Sequence, residues 1–489
     1  MIVRTQVPQE VQHIADTLEK GGFEAYLVGG CVRDLLIGRM PKDWDITTNA
    51  VPHEIETLFP ESFCNNDYGT VGVITNSLDE RVKVVEVTPY RSESAYSDRR
   101  RPDSVTFGVS LTEDLKRRDF TVNAIAYRLK DEMIIDEFGG EADIASKRLR
   151  TVGDANERFS EDALRMMRAV RLAAELDFTI EGDTMTAIAQ NSKLLSHISI
   201  ERIRDEFLRI LNSNTPMQGI VFLERLGLID HILPELREGI GCAQNQAHAY
   251  DVYEHLLRTL QAAADKGFSL ELRLAALLHD IGKPASRRWS KEKNDWTFHG
   301  HEVIGARMAH TILKRLKIGI ETSDFIENLV RWHMFFSDPD QVTLSAVRRT
   351  ITRVGQEHIE DLLNLRICDR IGTGRPKEQP FRFRKYKAMV DQALRDPISV
   401  KMLKTDGAKI MELTGEKPGK RLGYILHTLM EEVLEKPEQN TETLLNKRIL
   451  ELVQLDDTTH YEMANRGKER LAAEEAAAIK EIERMHKVG

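Results

Sequence analysis

Apolar side chains follow two different patterns along the chain. Up to about residue 150, short β-branched runs alternate with stretches of helical spacing, whereas helical spacing dominates from about residue 154 onwards. The first pattern predicts strands over residues 23–28, 68–74 and 82–87, and helices over residues 8–20 and 51–59. The sequence therefore predicts a strand-containing first part and a helical remainder.

One helical stretch of the second part carries charged residues of interest. Residues 158–178 have apolar positions at helical spacing, Ser160 is a candidate N-cap, and two acidic residues follow it. We expect a continuous helix on which Asp162 and Arg165, three positions apart, share a face. On its own, that spacing is typical of an exposed ion pair that stabilises a helix by about a few tenths of a kcal/mol.

Length and composition narrow the class of protein. A chain of 489 residues is too long for one core, so three or four domains are expected. Four widely separated cysteines without a C-x-x-C pair indicate neither a disulfide framework nor a zinc knuckle. No apolar run is long enough for a membrane span, so we expect a cytoplasmic protein without a membrane partner. The net charge of −9 argues against nucleic-acid binding over the whole surface, but it is compatible with a local basic face.

Residues 26–48 (YLVGGCVRDLLIGRMPKDWDITT) hold the first candidate chemistry. If Trp44 lies in an extended strand, the carboxylates of Asp43 and Asp45 point to the same side. Two like charges at that distance require a cation, and Mg²⁺ takes oxygen ligands while leaving room for substrate phosphates. The turn at Gly29 and Gly30 precedes a helix and exposes backbone N–H groups that suit a triphosphate. The stretch predicts a metal-dependent nucleotidyl-transfer site.

This combination, G-G-x-V-R-D-x-x-x-G followed by D-x-D, resembles the signature of the nucleotidyltransferase superfamily. In this variant it is similar to the class II tRNA nucleotidyltransferases and bacterial poly(A) polymerases, a family that includes CCA-adding enzymes with an HD domain. The resemblance implies that Asp43 and Asp45 are catalytic and hold two Mg²⁺ ions, and that Gly29, Gly30 and Arg33 bind the nucleotide. Glu86 is either a third carboxylate beside the metals or an outward-facing strand residue, and both interpretations stay open.

Two further motifs match the family. The segment RRDFTVNA fits R-R-D-x-T-x-N-A, and the segment EDALR fits E-D-x-x-R. The resemblance implies nucleotide binding by Arg117, Arg118, Asp119, Asn123, Asp162, Arg165 and Arg168. A donor such as Arg165 beside an acceptor such as Asp162 complements the edges of cytosine and adenine, whereas uracil and guanine present the reverse pattern. Selection of CTP and ATP would then need no nucleic-acid template.

Two connecting segments also have counterparts in the family. Residues 91–107 are polar, contain three consecutive arginines and predict a mobile loop between a strand and a helix. A solvated linker is the alternative to a loop that helps the site change from adding C to adding A. Residues 136–150 match a family segment treated as a hinge, in which Gly139 and Gly140 would supply the bend.

A second constellation lies in the helical part and resembles the HD phosphohydrolase superfamily, in which residues from several helices bind divalent ions. The resemblance implies one metal site formed by His255, His279, Asp280, His301, His333 and Asp369. Imidazole and carboxylate ligands suit Ni, Mn, Fe, Co or Mg and do not identify one metal. Metal-bound water would attack a phosphomonoester or a cyclic phosphodiester. Retention of that activity and a purely RNA-holding role are both open.

The resemblance implies an α+β fold with a nucleotidyltransferase head and a small mixed β-sheet, followed by an all-α neck, body and tail. The predicted domains are a catalytic head (1–150), a neck that recognises the base (151–215), an HD-type body (216–400), a tRNA-binding tail (401–455) and a charged terminal helix (456–489). The predicted partners are tRNA, CTP and ATP.

Addition of CCA to tRNA 3′ ends is the first functional hypothesis. Addition of A alone and poly(A) synthesis are alternatives within the family. A phosphohydrolase with an inactive RNA-binding head, or a non-catalytic tRNA-binding module, would belong to other classes. The sequence leaves the oligomeric state undetermined.

Overall fold

The computed structural model describes residues 2–64, 68–93, 104–245, 249–335, 342–375 and 377–456, with Thr459 and Met463. The predicted terminal helix over residues 456–489 lies almost entirely outside the described residues. The chain divides into two compact units, Met1–Pro234 and Glu235–Gly489. Within the described ranges, no helix combines the length and the apolar character needed to cross a membrane.

The first unit contains a mixed β-sheet, as predicted. Its strands are β1 (Tyr26–Val28), β2 (Asp45–Thr48), β3 (Ser62–Cys64), β4 (Val71–Ile74), β5 (Val84–Pro89), β6 (Arg91–Glu93), β7 (Val105–Phe107), β8 (Ala126–Arg128), β9 (Met133–Ile135), β10 (Arg148–Leu149) and β11 (Thr179–Ile180). Seven of them form one sheet in the order β3-β4-β5-β2-β1-β8-β9, in which β2 and β5 are parallel and their neighbours antiparallel. The sheet places the end of β1 and the start of β2 side by side.

The helices at the start of the first unit pack against this sheet, and the later helices pack mainly on one another. They are α1 (Gln9–Lys20), α2 (Gly30–Leu36), α3 (Pro52–Leu58), α4 (Leu111–Lys116), α5 (Gly140–Ala145), α6 (Ala155–Glu161), α7 (Leu164–Leu176), α8 (Gly182–Asn191), α9 (Ile200–Leu211) and α10 (Pro216–Arg225). In α1 the buried residues Val11, Ile14, Ala15 and Leu18 recur at helical spacing and join the core of the sheet. Gly139, at the predicted bend, has φ 78° and directly precedes α5.

Two predictions about local structure in this unit are wrong. The ends of the polar segment 91–107 are not loop but the paired strands β6 and β7, with Arg91 opposite Phe107. The ladder consists of backbone hydrogen bonds, which polar residues also supply, so apolar patterning did not reveal it. Residues 94–103 lie outside the described part of the chain. The expected continuous helix over 158–178 is interrupted between α6 and α7, and Ser160 lies inside α6 and does not cap a helix.

In its described residues, the second unit is helical except for one hairpin. Its elements are α11 (Val252–Asp265), α12 (Leu270–Leu278), α13 (Lys283–Ser286), β12 (Arg288–Ser290), β13 (Asp295–Thr297), α14 (His301–Arg315), α15 (Ile320–Trp332), α16 (Leu344–Val354), α17 (Ile359–Gly372), α18 (Phe381–Ala393), α19 (Gly407–Thr414), α20 (Lys420–Glu435) and α21 (Glu442–Leu452). The pairing of β12 with β13 was not predicted. Helices α11, α12, α14, α15 and α17 supply or flank the cluster described below.

Candidate functional sites

The head carboxylates meet at the edge of the large sheet. Asp45 is the first residue of β2, and Trp44, which is 2% exposed, anchors the chain between Asp43 and Asp45. Because β2 and β5 are parallel, Asp45 lies in register with Glu86. All three carboxylates border one cavity of about 700 Å³, the head cavity. The structure thus brings together the predicted acidic pair and places Glu86 beside it.

Negative charge is concentrated at this position. Burial, Asp43 and Glu86 raise the pKa of Asp45 to about 7, against the opposing charge of Arg118. A divalent cation would offset this repulsion, and a donor set made only of carboxylate oxygens fits Mg²⁺. In the described part of the chain, these carboxylates do not form a group of three ligand atoms within 4.8 Å of one another. Substrate phosphate oxygens are the kind of ligand that completes such a set.

Replacing Asp45 by Asn is expected to raise the melting temperature of the metal-free protein, and to raise it more at pH 8 than at pH 5. An unfolded Asp has a pKa of about 3.9, so the folded protein holds this proton more tightly. The free energy of unfolding therefore falls as the pH rises from about 4 to about 7. Asn carries no charge and avoids this loss.

Thermal unfolding in EDTA at the two pH values measures the effect. Glu80→Gln, an exposed change near the same sheet, is the control. An increase of equal size at pH 5 and pH 8, or none at pH 8, would contradict the expectation.

The glycine turn lies against the same carboxylates. Gly29 has φ 81°, a conformation that other residues rarely adopt. A Cβ atom at this position would lie 3.4 Å from Arg118 Nη1 and 3.5 Å from Asp45 Oδ2. Gly30 begins α2 and borders the cavity. The backbone therefore approaches the acidic site at a point where a side chain would fill the space.

A chain of hydrogen bonds joins α2 to α7 across the cavity wall. Arg33 Nη1 donates to Asn123 Oδ1 at 2.7 Å, and Asn123 Nδ2 donates to Asp119 Oδ1 at 3.1 Å. Asp119 Oδ2 accepts from Arg168 Nε and Nη2 at 2.9 and 2.6 Å. Burial alone would raise the pKa of Asp119, but Arg168 and Asn123 hold it well below its usual range. Of these four residues, Arg33, Asn123 and Arg168 border the cavity.

The two motif arginines beside this chain are held by a residue that the sequence analysis missed. Asp114 of α4 is completely buried, and its Oδ1 accepts from Arg117 at 2.9 and 2.8 Å. Its Oδ2 accepts from Arg118 Nη2 at 3.2 Å. The spacing of three and four residues from Asp114 to the arginines was the available signal. Neither arginine borders the cavity, but Arg118 lies near the turn at Gly29, and its charge opposes the rise in the pKa of Asp45.

The prediction that Asp162 and Arg165 share one face of a continuous helix is wrong. Asp162 is extended, with φ −134°, and its Oδ1 accepts from Leu164 N at 3.0 Å, which satisfies a free N–H at the start of α7. Its Oδ2 lies 3.2 Å from Arg202 Nη2. Arg165 donates to Glu161 and, at 3.2 Å, to the carbonyl oxygen of Arg117. The aspartate ends one helix and starts the next, and neither residue borders the head cavity.

The second unit brings together all six residues of the predicted metal site. The first group is His255, His279, Asp280 and Asp369, and the second is Asp280, His301 and His333. Within each group, one ligand atom per residue lies within 4.8 Å of the others, and every member is buried. Asp280 belongs to both groups. These two groups would hold divalent metal, and Asp280 would contribute to both.

The hydrogen bonds of the imidazole rings test whether a cation fits. The Nδ1 atoms of His301 and His333 lie 2.6 and 2.7 Å from backbone carbonyl oxygens, which only accept, so these nitrogens carry the protons. In the neutral rings both Nε2 atoms are then lone-pair acceptors, and they face each other at 3.3 Å. Asp280 Oδ1 is buried without a hydrogen-bond partner and lies 3.2 and 3.3 Å from them. Three facing acceptors fit a cation.

The pKa values of two buried histidines of the cluster, His279 and His333, shift in opposite directions. Burial lowers the pKa of His279, but Asp280 and Asp369 outweigh it and raise the pKa to about 10. Burial lowers the pKa of His333 to about 4, with only partial opposition from Asp280. The carboxylates thus attract positive charge to the first group, where bound metal would replace the proton.

Comparison with known proteins gives matches along most of the chain. The Poly A polymerase head domain matches residues 25–150, the probable RNA and SrmB-binding site of polymerase A matches residues 177–240, and the HD domain matches residues 252–371. A CCA-adding enzyme of Levilactobacillus brevis is 36% identical over 333 residues, which is 68% of this chain and 77% of that protein. One from Lactobacillus delbrueckii subsp. bulgaricus is 33% identical over 445 residues, covering 90% of this chain and 97% of that protein.

A solved structure matches over nearly the same extent. The Bacillus stearothermophilus CCA-adding enzyme in complex with CTP has a TM-score of 0.67 and 29% sequence identity, and the match covers 92% of this chain and 98% of that one.

Proposed function

Because this chain belongs to the family of CCA-adding enzymes, we propose that it adds C, C and A to the 3′ ends of tRNA from CTP and ATP, without a nucleic-acid template. The tRNA 3′ hydroxyl would attack the α-phosphate, and pyrophosphate would leave. The observation that carries the proposal is the convergence of Asp43, Asp45 and Glu86 on one cavity, beside Gly29 and Gly30. We propose the cytoplasm as the place of action.

The residues of the cavity wall have distinct tasks in this proposal. Asp43 and Asp45 would hold Mg²⁺, which when bound stabilises negative charge on the reacting phosphate. Arg33 and Arg168 border the cavity and can donate to triphosphate oxygens. Asn123 fixes Arg33, and Asp119 fixes Arg168, so both guanidinium groups are oriented before the nucleotide arrives. Arg117 would reach phosphate by exchanging its bonds to Asp114, whereas Arg118 holds Asp114 through Nη2 and has Nη1 near the turn at Gly29.

Base selection is assigned to Asp162 and Arg165. Their hydrogen-bonding pattern complements cytosine and adenine, and reading a base would require them to exchange their present contacts with Leu164 and Glu161 for the base edge. The contacts at the start of α7 would then change when a nucleotide binds.

Replacing Asp162 by Asn is expected to reduce the preference for CTP and ATP over UTP and GTP by about a hundredfold, because an amide offers both a donor and an acceptor to the base. Incorporation of each of the four nucleotides into tRNA measures the preference. Asp183→Asn, an exposed change on α8, is the matched control. An unchanged preference in Asp162→Asn would remove this residue from base recognition.

The overall activity is tested with purified protein and three RNA substrates: a tRNA transcript that ends before CCA, one that ends in CC, and an unrelated RNA. We expect C, C and A on the first and A on the second. Incorporation of A alone, only onto CC ends, would identify an A-adding enzyme instead. Long A tracts on the unrelated RNA would identify a poly(A) polymerase.

A second function is favoured by the completeness of the cluster in the second unit. We propose that His255, His279, Asp280, His301, His333 and Asp369 bind divalent metal. The metal supplies charge stabilisation and an activated water when bound. The activity would be hydrolysis of a phosphate ester, in which water adds to phosphorus, the ester P–O bond breaks and the leaving oxygen takes a proton. Four imidazoles with two carboxylates suit Mn, Fe, Co or Ni, and also allow Mg.

A further inference from the structure

A row of directly opposed residues crosses the large sheet of the first unit, from the acidic site to the outer strand. Asp45 of β2 lies in register with Glu86 of β5. Glu86 is also opposite Gly72 of β4, which in turn is opposite Phe63 of β3. Directly opposed residues have their side chains on the same face of a sheet. Phe63 therefore shares the face that carries the carboxylates, and it lies two strand spacings, about 10 Å, from Glu86.

The ring of Phe63 lies flat on Gly72. A Cβ atom at Gly72 would be 2.6 Å from Cζ of Phe63 and 3.0 Å from both Cε1 and Cε2. Because these distances are nearly equal, the glycine faces the plane of the ring and not its edge. One ring face thus rests on the sheet, and Phe63 is 40% exposed, so among the described residues the opposite face is open.

Two further apolar side chains extend this surface toward the head cavity. Ile74 is opposite Val84, and Val84 shares a face with Glu86 because side chains two positions apart on a strand point the same way. Ile74 and Val84 are 44% and 40% exposed, and Val84 borders the head cavity. The solvated face of antiparallel strands is commonly polar. Phe63, Ile74 and Val84 instead form an apolar patch that is continuous with the head cavity, a feature typical of binding surfaces.

The position of the apolar patch relative to the glycine turn indicates its ligand. Gly29 and Gly30 follow β1, on one side of Asp45, whereas the patch lies on β5, β4 and β3, on the other side. In phosphoryl transfer the attacking and leaving oxygens are roughly in line through phosphorus. If the glycine turn holds the β- and γ-phosphates, pyrophosphate leaves on that side of the sheet. The attacking hydroxyl then approaches from the side of the patch.

We propose that the apolar patch receives the last nucleotide of the tRNA, with the base stacked on Phe63 and the 3′ hydroxyl toward Asp43 and Asp45. The inference rests on the proposed nucleotide addition and names a residue that positions its attacking group. Every base has a π-face, so Phe63 can accept the RNA end at each step of addition, whichever base stands last. Phe63 is a positioning residue, and its ring takes no part in bond making.

Addition to two tRNA transcripts, identical except that one ends in an abasic nucleotide, tests the proposal. For the wild type we expect kcat/KM for the RNA to be roughly tenfold lower with the abasic end, because one stacked base is missing. Phe63→Leu should lower kcat/KM on the intact RNA about tenfold and make the two RNAs equivalent. Phe63→Tyr should restore the difference. Met133→Leu is the matched control, since Met133 is 44% exposed on β9, at the opposite edge of the same sheet.

Gly72→Ala tests the position of the ring without removing the ring. Its methyl group would lie 2.6 Å from Cζ of Phe63, closer than atoms pack, so the ring must leave its present place. We expect the same loss of preference for the intact end as in Phe63→Leu. The double variant should lose little more, because both changes remove one contact. Independent, additive losses in variants of normal melting temperature would contradict the proposal.

The nucleotide substrates give a second readout. In Phe63→Leu, KM for CTP and for ATP is expected to stay at the wild-type value, because the glycine turn lies on the other side of Asp45. A raised KM for the nucleotides, with an unchanged preference for the intact RNA end, would place the incoming base on the patch and overturn the inference. Equal addition to intact and abasic ends by the wild type would also overturn it.

Failure of the proposed addition has a different signature. A protein that adds no nucleotide to tRNA, yet binds the intact end more tightly than the abasic end only while Phe63 is present, would remove the transferase and leave the RNA-end site standing. Normal addition to tRNA that is indifferent to Phe63 and to the last base would do the opposite.

Discussion

Replacing Asp43 or Asp45 by Ala is expected to lower the rate of nucleotide addition to tRNA by at least about a thousandfold. Both carboxylates border the head cavity, and Asp45 lies in register with Glu86. Loss of either would remove a ligand for Mg²⁺, whose charge stabilisation is worth several kcal/mol, and about 1.4 kcal/mol corresponds to tenfold in rate. Single-turnover incorporation of labelled CTP at saturating tRNA measures the effect.

The fold should survive both changes, because Asp43 is exposed and Trp44 retains its buried position. Affinity for tRNA is expected to change little, which separates chemistry from binding. Glu86→Gln distinguishes the two interpretations of that residue: a large loss of rate would make it a third metal-site carboxylate, and near-normal rates would make it a strand residue only. Addition at wild-type rates by Asp43→Ala and Asp45→Ala would refute the proposed role of the pair.

Replacing Asp280 by Ala is expected to lower the affinity of the second unit for divalent metal by at least about a hundredfold and to abolish phosphate ester hydrolysis. Asp280 belongs to both ligand groups, so one substitution affects both metal positions. Loss of a residue that only orients a metal ligand typically costs about ten- to a hundredfold in affinity, and the proposed role of Asp280 is that of a direct ligand. Metal content after dialysis and hydrolysis of a nucleoside 2′,3′-cyclic phosphate measure the two effects.

Nucleotide addition should be unchanged in this variant, because all residues assigned to addition belong to the first unit. Asp280→Asn is the second variant, since its amide keeps the shape of the side chain and an oxygen that can accept from the buried Lys283. His310→Ala is the matched control: this histidine lies on α14 with an exposed side chain and pairs with Glu327 outside the cluster. Full metal content in Asp280→Ala would show that the cluster does not bind metal as proposed.

The sequence predicted the sheet better than it predicted the shortest elements. Strands β1, β4 and β5 were found because their apolar runs enter the core, although each begins two or three residues later than predicted. Strands β10 and β11 have two residues each, which is too short for an alternating pattern. The hairpin segment 288–297 is mostly polar, so its pairing depends on backbone hydrogen bonds that side-chain patterns do not encode.

For the candidate sites, too, the sequence did not reveal contacts that depend on the folded chain. The expectation that Asp43 and Asp45 share one side rested on a strand through Trp44, whereas β2 begins at Asp45 and Asp43 precedes it. The motif identified all six residues of the second cluster. The helix break at Asp162 was missed because the apolar spacing continues through it, while the side chain makes a local capping bond. Asp114 was missed because its spacing of three and four residues to the two arginines is equally typical of an exposed helical ion pair, and spacing does not show burial.

The parallel pairing of β10 with β11 joins two segments of the first unit that are distant in sequence. Arg148 lies opposite Thr179 and Leu149 opposite Ile180, and Thr179 N and Glu181 N donate to Lys147 and Leu149 at 2.8 and 2.9 Å. The segment between them, which includes α6 and α7, therefore forms a loop whose two ends are joined by backbone hydrogen bonds. While this pairing holds, the two ends of the segment cannot move apart. If Arg165 and Arg168 serve the nucleotide as proposed, we expect them to adapt to different bases mainly by rotation of their side chains.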